Sequence, residues 1–300
     1  MKKKTYLFAL MAMVLTLGSC SDNENGIGGE TSKYITVSTS IGNMTRVATD
    51  AKGGQTFEEG DEISVYAWTG DATVAPETRE RVVNNAINKL TNGSWISNPQ
   101  MLWKNNRDKH YFIGVYPISA ISDLSAGEYT FDETKQVESD LLVAVNKDGL
   151  SYNVDEQQPV PLTFTHVMAK LAVNLTYKNQ WGGIPTVEKV VVGNAAKEAT
   201  INYLTKVVTP STTAKEDFSL PEITENTKYV SVIIPQEEVT QLTIVIGGKN
   251  FVYDNGTPFK LESGKITTVN LEVGRDEIKL GDVKITNWED GSTFSGEALN

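Results

Sequence analysis

Apolar residues along most of this chain recur at every second position, and a period of two belongs to half-buried β-strands, whose successive side chains point to opposite faces. Ile35, Val37, Thr39 and Ile41 alternate with polar neighbours, and so do Ile63, Val65 and Ala67. In "HVMAKLAVNLTY" Val167, Ala169, Leu171, Val173, Leu175 and Tyr177 share one face, opposite Lys170, Asn174 and Thr176. "LTIVIGGKNFVYD" predicts a hairpin in which Leu242, Ile244 and Ile246 meet Phe251 and Tyr253, because Gly247-Gly248 supplies the positive φ angles of a two-residue turn. "TTVNLEV" buries Val269, Leu271 and Val273. Many short strands separated by turns predict an all-β chain built of β-sandwiches. One stretch follows another period: Val82, Val83, Ala86, Ile87 and Leu90 fall at helical spacing in "RVVNNAINKL". Its β-branched pair and adjacent asparagines disfavour a helix, so these residues leave helix and strand both open.

The chain contains one cysteine, so an ordinary apolar core must hold it rather than an internal disulfide. Its 300 residues suffice for two domains. Charge, glutamines and two prolines interrupt the apolar pattern at "NVDEQQPVP", residues 153–161. That break predicts an N-terminal domain over 34–158 and a C-terminal domain over 159–300. Neither half repeats the other.

The cysteine, Cys20, follows a leader. Lys2, Lys3 and Lys4 precede an apolar run from Tyr6 to Leu17, too short to span a bilayer, which needs about 20 residues. This is the layout of a signal peptide over 1–19. Leu17, Gly18 and Ser19 run directly into Cys20, a pattern that resembles the bacterial lipobox. The resemblance implies cleavage before Cys20, a lipid on its thiol and acylation of the freed amine, an anchor of more than one chain and therefore stable. Residues 20–33 are polar and glycine-rich and read as a flexible tether; the acids Asp22 and Glu24 there resemble a surface-export signal. Net charge is −11, and losing the leader removes three lysines and no acid. So acidic a chain repels nucleic acid and anionic headgroups, which leaves the lipid as its means of membrane attachment.

Catalytic chemistry finds little material. His110 and His166 are the two histidines; His110, behind the charged turn "KNNRDK", is expected in solvent, and His166, opening a strand, is expected packed or turn-bonded. GxSxG, HExxH and glycine-rich phosphate loops are absent. "YDNGTP" and "WEDGS" lack the ligand spacing of a calcium loop and read as turns. Glu58, Glu59, Asp61 and Glu62 are acids in an acidic chain, not a carboxylate pair with defined geometry. Trp68, Trp95, Trp103, Trp181 and Trp288 are either a sugar-stacking platform or core. We expect no enzyme, no cofactor and no metal.

Several stretches, in order, are similar to the fimbrillin family. They are "TRVATDAKGGQTFEEGDEISVYAW", "HYFIGVYP" followed by "DLLVA", "LTFTHVMAKLAVNL", "ESGKITTVNLEV" and "VKITNWEDG". The resemblance implies two tandem β-sandwich domains of transthyretin-like topology, strand rather than helix in "RVVNNAINKL", and His166 and Lys170 as fold positions. It implies a type V pilus subunit or related surface lipoprotein of Bacteroides-like bacteria, anchored in the outer membrane or built into a fimbrium. Its partners would be other pilus subunits and host or bacterial surface ligands. The resemblance further implies cleavage at Arg46, in "NMTRVAT", which would release the strand over Tyr34 to Ile41. A terminal strand of another subunit would fill the groove. The candidate donor is "EIKLGDVKITNW", with Ile278, Leu280, Val283 and Ile285 alternating around Gly281-Asp282. The competing class is a surface-anchored glycan-binding lipoprotein of a polysaccharide-uptake system, which would need exposed tryptophans.

Overall fold

The computed structural model describes residues 33–42, 56–153 and 158–288. Among them the alternation is realised as strands throughout, and the helical content is one three-residue 3-10 turn, Thr78–Glu80. The chain is all-β.

The first sheet runs in the order β1 (Val37–Ile41), β8 (Val160–His166), β7 (Leu142–Leu150), β5 (His110–Tyr116), β2 (Glu62–Thr69), β3 (Arg81–Thr91), β4 (Ser94–Asn98). All neighbours are antiparallel except β1 and β8. A three-stranded sheet joins β12 (Val207–Pro210), β11 (Glu198–Asn202) and β6 (Gly127–Thr130). A four-stranded sheet joins β13 (Lys215–Ser219), β10 (Val187–Ala196), β16 (Gln236–Ile246) and β17 (Lys249–Leu261). The fourth sheet runs β14 (Glu222–Thr224), β15 (Lys228–Ile233), β9 (Ala169–Tyr177), β18 (Lys265–Val273), β19 (Ile278–Asn287).

Strand alternation sorts the first sheet's side chains into two cores. Ile63, Val65 and Ala67 of β2 join Phe112, Leu142, Ala144, Val160, Leu162 and Phe164 on one face. Tyr66, Trp68, Ile113, Val115 and Val143 face the other way, into the larger core that the later strands complete. Both faces of β2 and β5 are therefore buried, which accounts for near-continuous apolar runs such as "ISVYAW". Close packing requires Gly114 in β5, where a Cβ would stand 2.6 Å from Cζ of Phe164.

The hairpin forms as expected: Leu242 pairs with Tyr253 and Ile244 with Phe251, with Gly247 and Gly248 at φ of 58° and 71°. The helical option for "RVVNNAINKL" is corrected to strand, because these residues form β3 between β2 and β4. Val65 pairs with Ala86 but Ala67 with Val83, so β3 carries one extra residue; Asn85 sits there at φ 56°. A bulge of this kind turns a two-residue step into a three-residue step and imitates helical spacing. The break at residues 153–161 lies between β7 and β8, which pair through Leu142–His166 and Ala144–Phe164, so the first sheet continues to His166.

Candidate functional site

The segment that precedes the expected cleavage point closes the first sheet on both of its sides. On one side Tyr34 bridges Leu102; the Ile35 N–H donates to the Met101 carbonyl at 2.9 Å and the Trp103 N–H to the Lys33 carbonyl at 2.9 Å. On the other side β1 runs parallel to β8 from Val37–Val160 to Ile41–Phe164, with the Val160 N–H donating to the Thr36 carbonyl at 2.8 Å. Residues 33–42 thus link the chain beyond β4 to β8, at the opposite end of the sheet order.

Ile35 and Val37 are buried in the core with Met101, Leu162 and Phe164, and Ile41 packs at its margin. Burying two such side chains contributes about 3–6 kcal/mol, against about 5–15 kcal/mol for a whole domain. An empty groove is therefore costly. Two side-chain bonds fix the register: the Trp95 indole N–H donates to Thr39 Oγ1 at 3.0 Å and the Ser40 hydroxyl to Thr163 Oγ1 at 3.2 Å. Phe57 is seated edge-on against Trp95, Tyr116 and Phe164, at 5.3, 5.4 and 5.1 Å between ring centres. Arg46 and Cys20 lie outside the described residues, and the chain is anchored on either side of Arg46 by Ile41 and Phe57.

The wall beside Lys33 and Ile35 depends on His110, and here the expectation of a solvent-exposed ring is corrected. His110 is fully buried, with the Trp103 ring edge-on at 5.0 Å. Its Nε2 accepts the Lys104 N–H at 3.1 Å and its Nδ1 lies 3.1 Å from the Asp108 carbonyl, which together describe a neutral ring protonated at Nδ1. Burial pushes its pKa below the usual histidine value, against the opposing pull of the Asp108 carbonyl.

At the other end of the chain, β19 is an edge strand paired with β18 along its length, from Val273–Ile278 to Lys265–Asn287. Gly281 is the extra residue of a bulge opposite Asn270 and Leu271, which is how the Gly281-Asp282 interruption is accommodated. Ile278 and Leu280 pack on the large core, while Val283 and Ile285 are each 37 % exposed. Trp288 clasps the end of this strand. Its ring stacks on His166 at 4.0 Å and 5°, Lys170 Nζ lies 4.2 Å over it, and the backbone N–H of Trp288 donates to the Gly264 carbonyl at 3.0 Å. His166 is oriented by Asp140, Nδ1 to Oδ1 2.8 Å. Burial brings the Lys170 pKa down to about 8.

These two ends belong to different sheets, and the structure does not bring them together. Trp95, Phe57, His110 and Trp288 are contributors that alternation alone does not single out; the signal for Phe57 and Trp95 is an aromatic residue next to a turn. Other candidates are structural. Glu59 accepts the Asn92 N–H at 2.6 Å, Asp61 accepts the Glu58 N–H at 2.7 Å, and Glu62 pairs with Lys89 at 3.1 Å. Trp68 is buried, and Trp95, Trp103, Trp181 and Trp288 each pack against a core, so none belongs to an exposed platform. Among the described residues there is no group of three or more His, Cys, Asp or Glu side chains placed to hold a metal.

The fimbrillin-like family profile matches residues 45–288. A Bacteroides uniformis protein named as a fimbrium subunit, Fim1C, is 25% identical over 97% of each chain. Crystal structures described as cell adhesion proteins show the same fold. One from Bacteroides ovatus has a TM-score of 0.64 at 17% identity, covering 85% of this chain and 98% of that one. One from Bacteroides uniformis has 0.61 at 17%, covering 86% and 100%. The family profile spans most of the chain, from β2 through β19, and the chain therefore belongs to the fimbrillin-like family, as a structural fimbrial or adhesion subunit and not an enzyme.

Proposed function

We propose that this protein is exported as a lipoprotein through Cys20 to the outer membrane and built into a fimbrium by strand replacement. In this reading cleavage after Arg46 releases residues 33–42, and an extended segment of another subunit enters the groove between β8 and residues 101–103. The segment carrying Ile278, Leu280, Val283 and Ile285 is the proposed donor. One observation carries the reading: the segment before Arg46 bonds to residues 101–103 through residues 33–35 and to β8 through the edge strand β1, and fills the core with Ile35 and Val37. A removable piece must be one continuous segment ahead of the cut, and residues 33–42 are such a segment. The exposed edge position of β19, with Val283 and Ile285 partly in solvent, favours it as donor. The two-domain, transthyretin-like division, 34–158 and 159–300, belongs to the same proposal.

The experiment is to cleave the purified mature chain at Arg46 and follow its size by chromatography, with and without residues 277–300. Cleaved full-length protein is expected to form oligomers, and the truncated form to stay monomeric. A cleaved full-length chain that remains monomeric at high concentration would refute assembly by this route. Oligomers that persist without residues 277–300 would clear β19 of the donor role.

A further inference from the structure

Replacement of residues 33–42 by another strand, the reading on which this inference rests, requires the groove to recognise more than backbone, since every open sheet edge offers the same pattern of N–H and C=O groups. Ile35 and Val37 set an apolar requirement. The third inward position differs. There Thr39 accepts a hydrogen bond from the Trp95 indole N–H at 3.0 Å, the contact made to an inward-facing side chain of the strand. Trp95 is held in place by β4, where it pairs with Leu90, and by Phe57, edge-on at 5.3 Å and 83°. The indole can donate but not accept. An acceptor opposite it completes the bond; an apolar side chain there removes the donor's partner in a half-buried site.

We propose that Trp95 is a specificity-determining residue of the groove, selecting an extended segment that presents two apolar residues at alternate positions and a hydrogen-bond acceptor two residues further on. The occupant it fits is the C-terminal strand of a second copy of this chain. Val283, Ile285 and Asn287 have that order and spacing, matching Ile35, Val37 and Thr39. All three are exposed in β19, so they can be read by a neighbour. Ile278, Leu280 and Asp282 repeat the spacing, but that register sets a carboxylate against the rings of Trp95 and Phe57 and brings Lys284 to the place of Ile41. Burying those two charges is costlier than placing the single charge of Glu289, which the register ending in Asn287 brings to the margin occupied by Ile41, and this favours the register ending in Asn287.

The test uses the full mature chain carrying a specific protease site at Arg46, nicked and offered labelled peptides in excess, with capture read by fluorescence anisotropy. The peptide of residues 33–42 is expected to bind, and its Thr39→Val form about five- to tenfold more weakly. On a Trp95→Phe groove the two should bind alike. The peptide of residues 277–288 is expected to bind as well, with Asn287→Leu costing a similar factor on the Trp95 groove and none on Trp95→Phe, and Asp282→Leu costing none on either. An equal Thr39→Val loss on both grooves, or no loss on either, overturns the selection by Trp95. If the Thr39 effect is seen but the 277–288 peptide is not captured, the C-terminal strand is rejected as occupant. If even the unaltered 33–42 peptide is not captured, strand replacement itself fails, and the selection with it.

Discussion

His110 shows how a single side chain can govern a terminal strand from inside the fold. Its ring accepts the Lys104 N–H and so fixes the residues, 101–103, to which Lys33 and Ile35 are bonded. The charged groups nearest it pull in opposite senses, Asp108 favouring the proton and Lys104 opposing it, and burial prevails. In the unfolded chain histidine titrates near 6.5, and in the folded chain His110 titrates lower. Between those two values the unfolded state binds more protons, so stability rises with pH there and falls as the solution is acidified from about 6.5. Urea midpoints measured at pH 7, 6 and 5 are expected to decline, and His110→Phe should flatten part of that decline while lowering the midpoint at pH 7. An unchanged slope in the variant would show that His110 is not the responsible group. Sequence could not reveal this role: "KNNRDKH" reads as a solvated turn, and the burial comes from Trp103 and the chain around it, which meet the ring only in three dimensions.

At the scale of elements, β19 is bound by two unlike devices, a backbone ladder to β18 and the Trp288 clasp over His166 and Lys170. The ladder is common to any edge strand, whereas the clasp is particular to this one. Trp288→Ala is expected to cost about 2 kcal/mol, below the full range for a buried tryptophan because the ring is partly exposed. Hydrogen exchange of β19 amides should quicken severalfold while those of β9 stay protected. Uniform quickening would mean global destabilisation and no separate clasp. The elements also show why parts of the fold were legible. The β16–β17 hairpin was, because two glycines and five alternating apolar residues agree. β3 was not, because the bulge at Asn85 breaks its period. The prolines at 159 and 161 are visible as an interruption, whereas the pairing of β8 with β7 in the first sheet is long-range and local composition does not encode it. Of the site, Ile35 and Val37 followed from alternation, and the Trp95–Thr39 bond did not, since it joins residues 56 apart.

For the whole molecule, the state of the fold depends on the fate of its N-terminal segment. Residues 33–42 complete the smaller core, so an assembled subunit either retains them or has something equivalent in their place. The fimbrillin-like assignment sets the cell-surface context for the proposed exchange. The most direct measurement is mass spectrometry of the subunit recovered from intact fimbriae, reading its N-terminus and any lipid together. Assembled subunits are expected to begin at Val47, to lack residues 33–42 and to carry no lipid, while the unassembled precursor begins with lipidated Cys20. Assembled subunits that still begin at Cys20 and keep Ile35 and Val37 would contradict strand replacement.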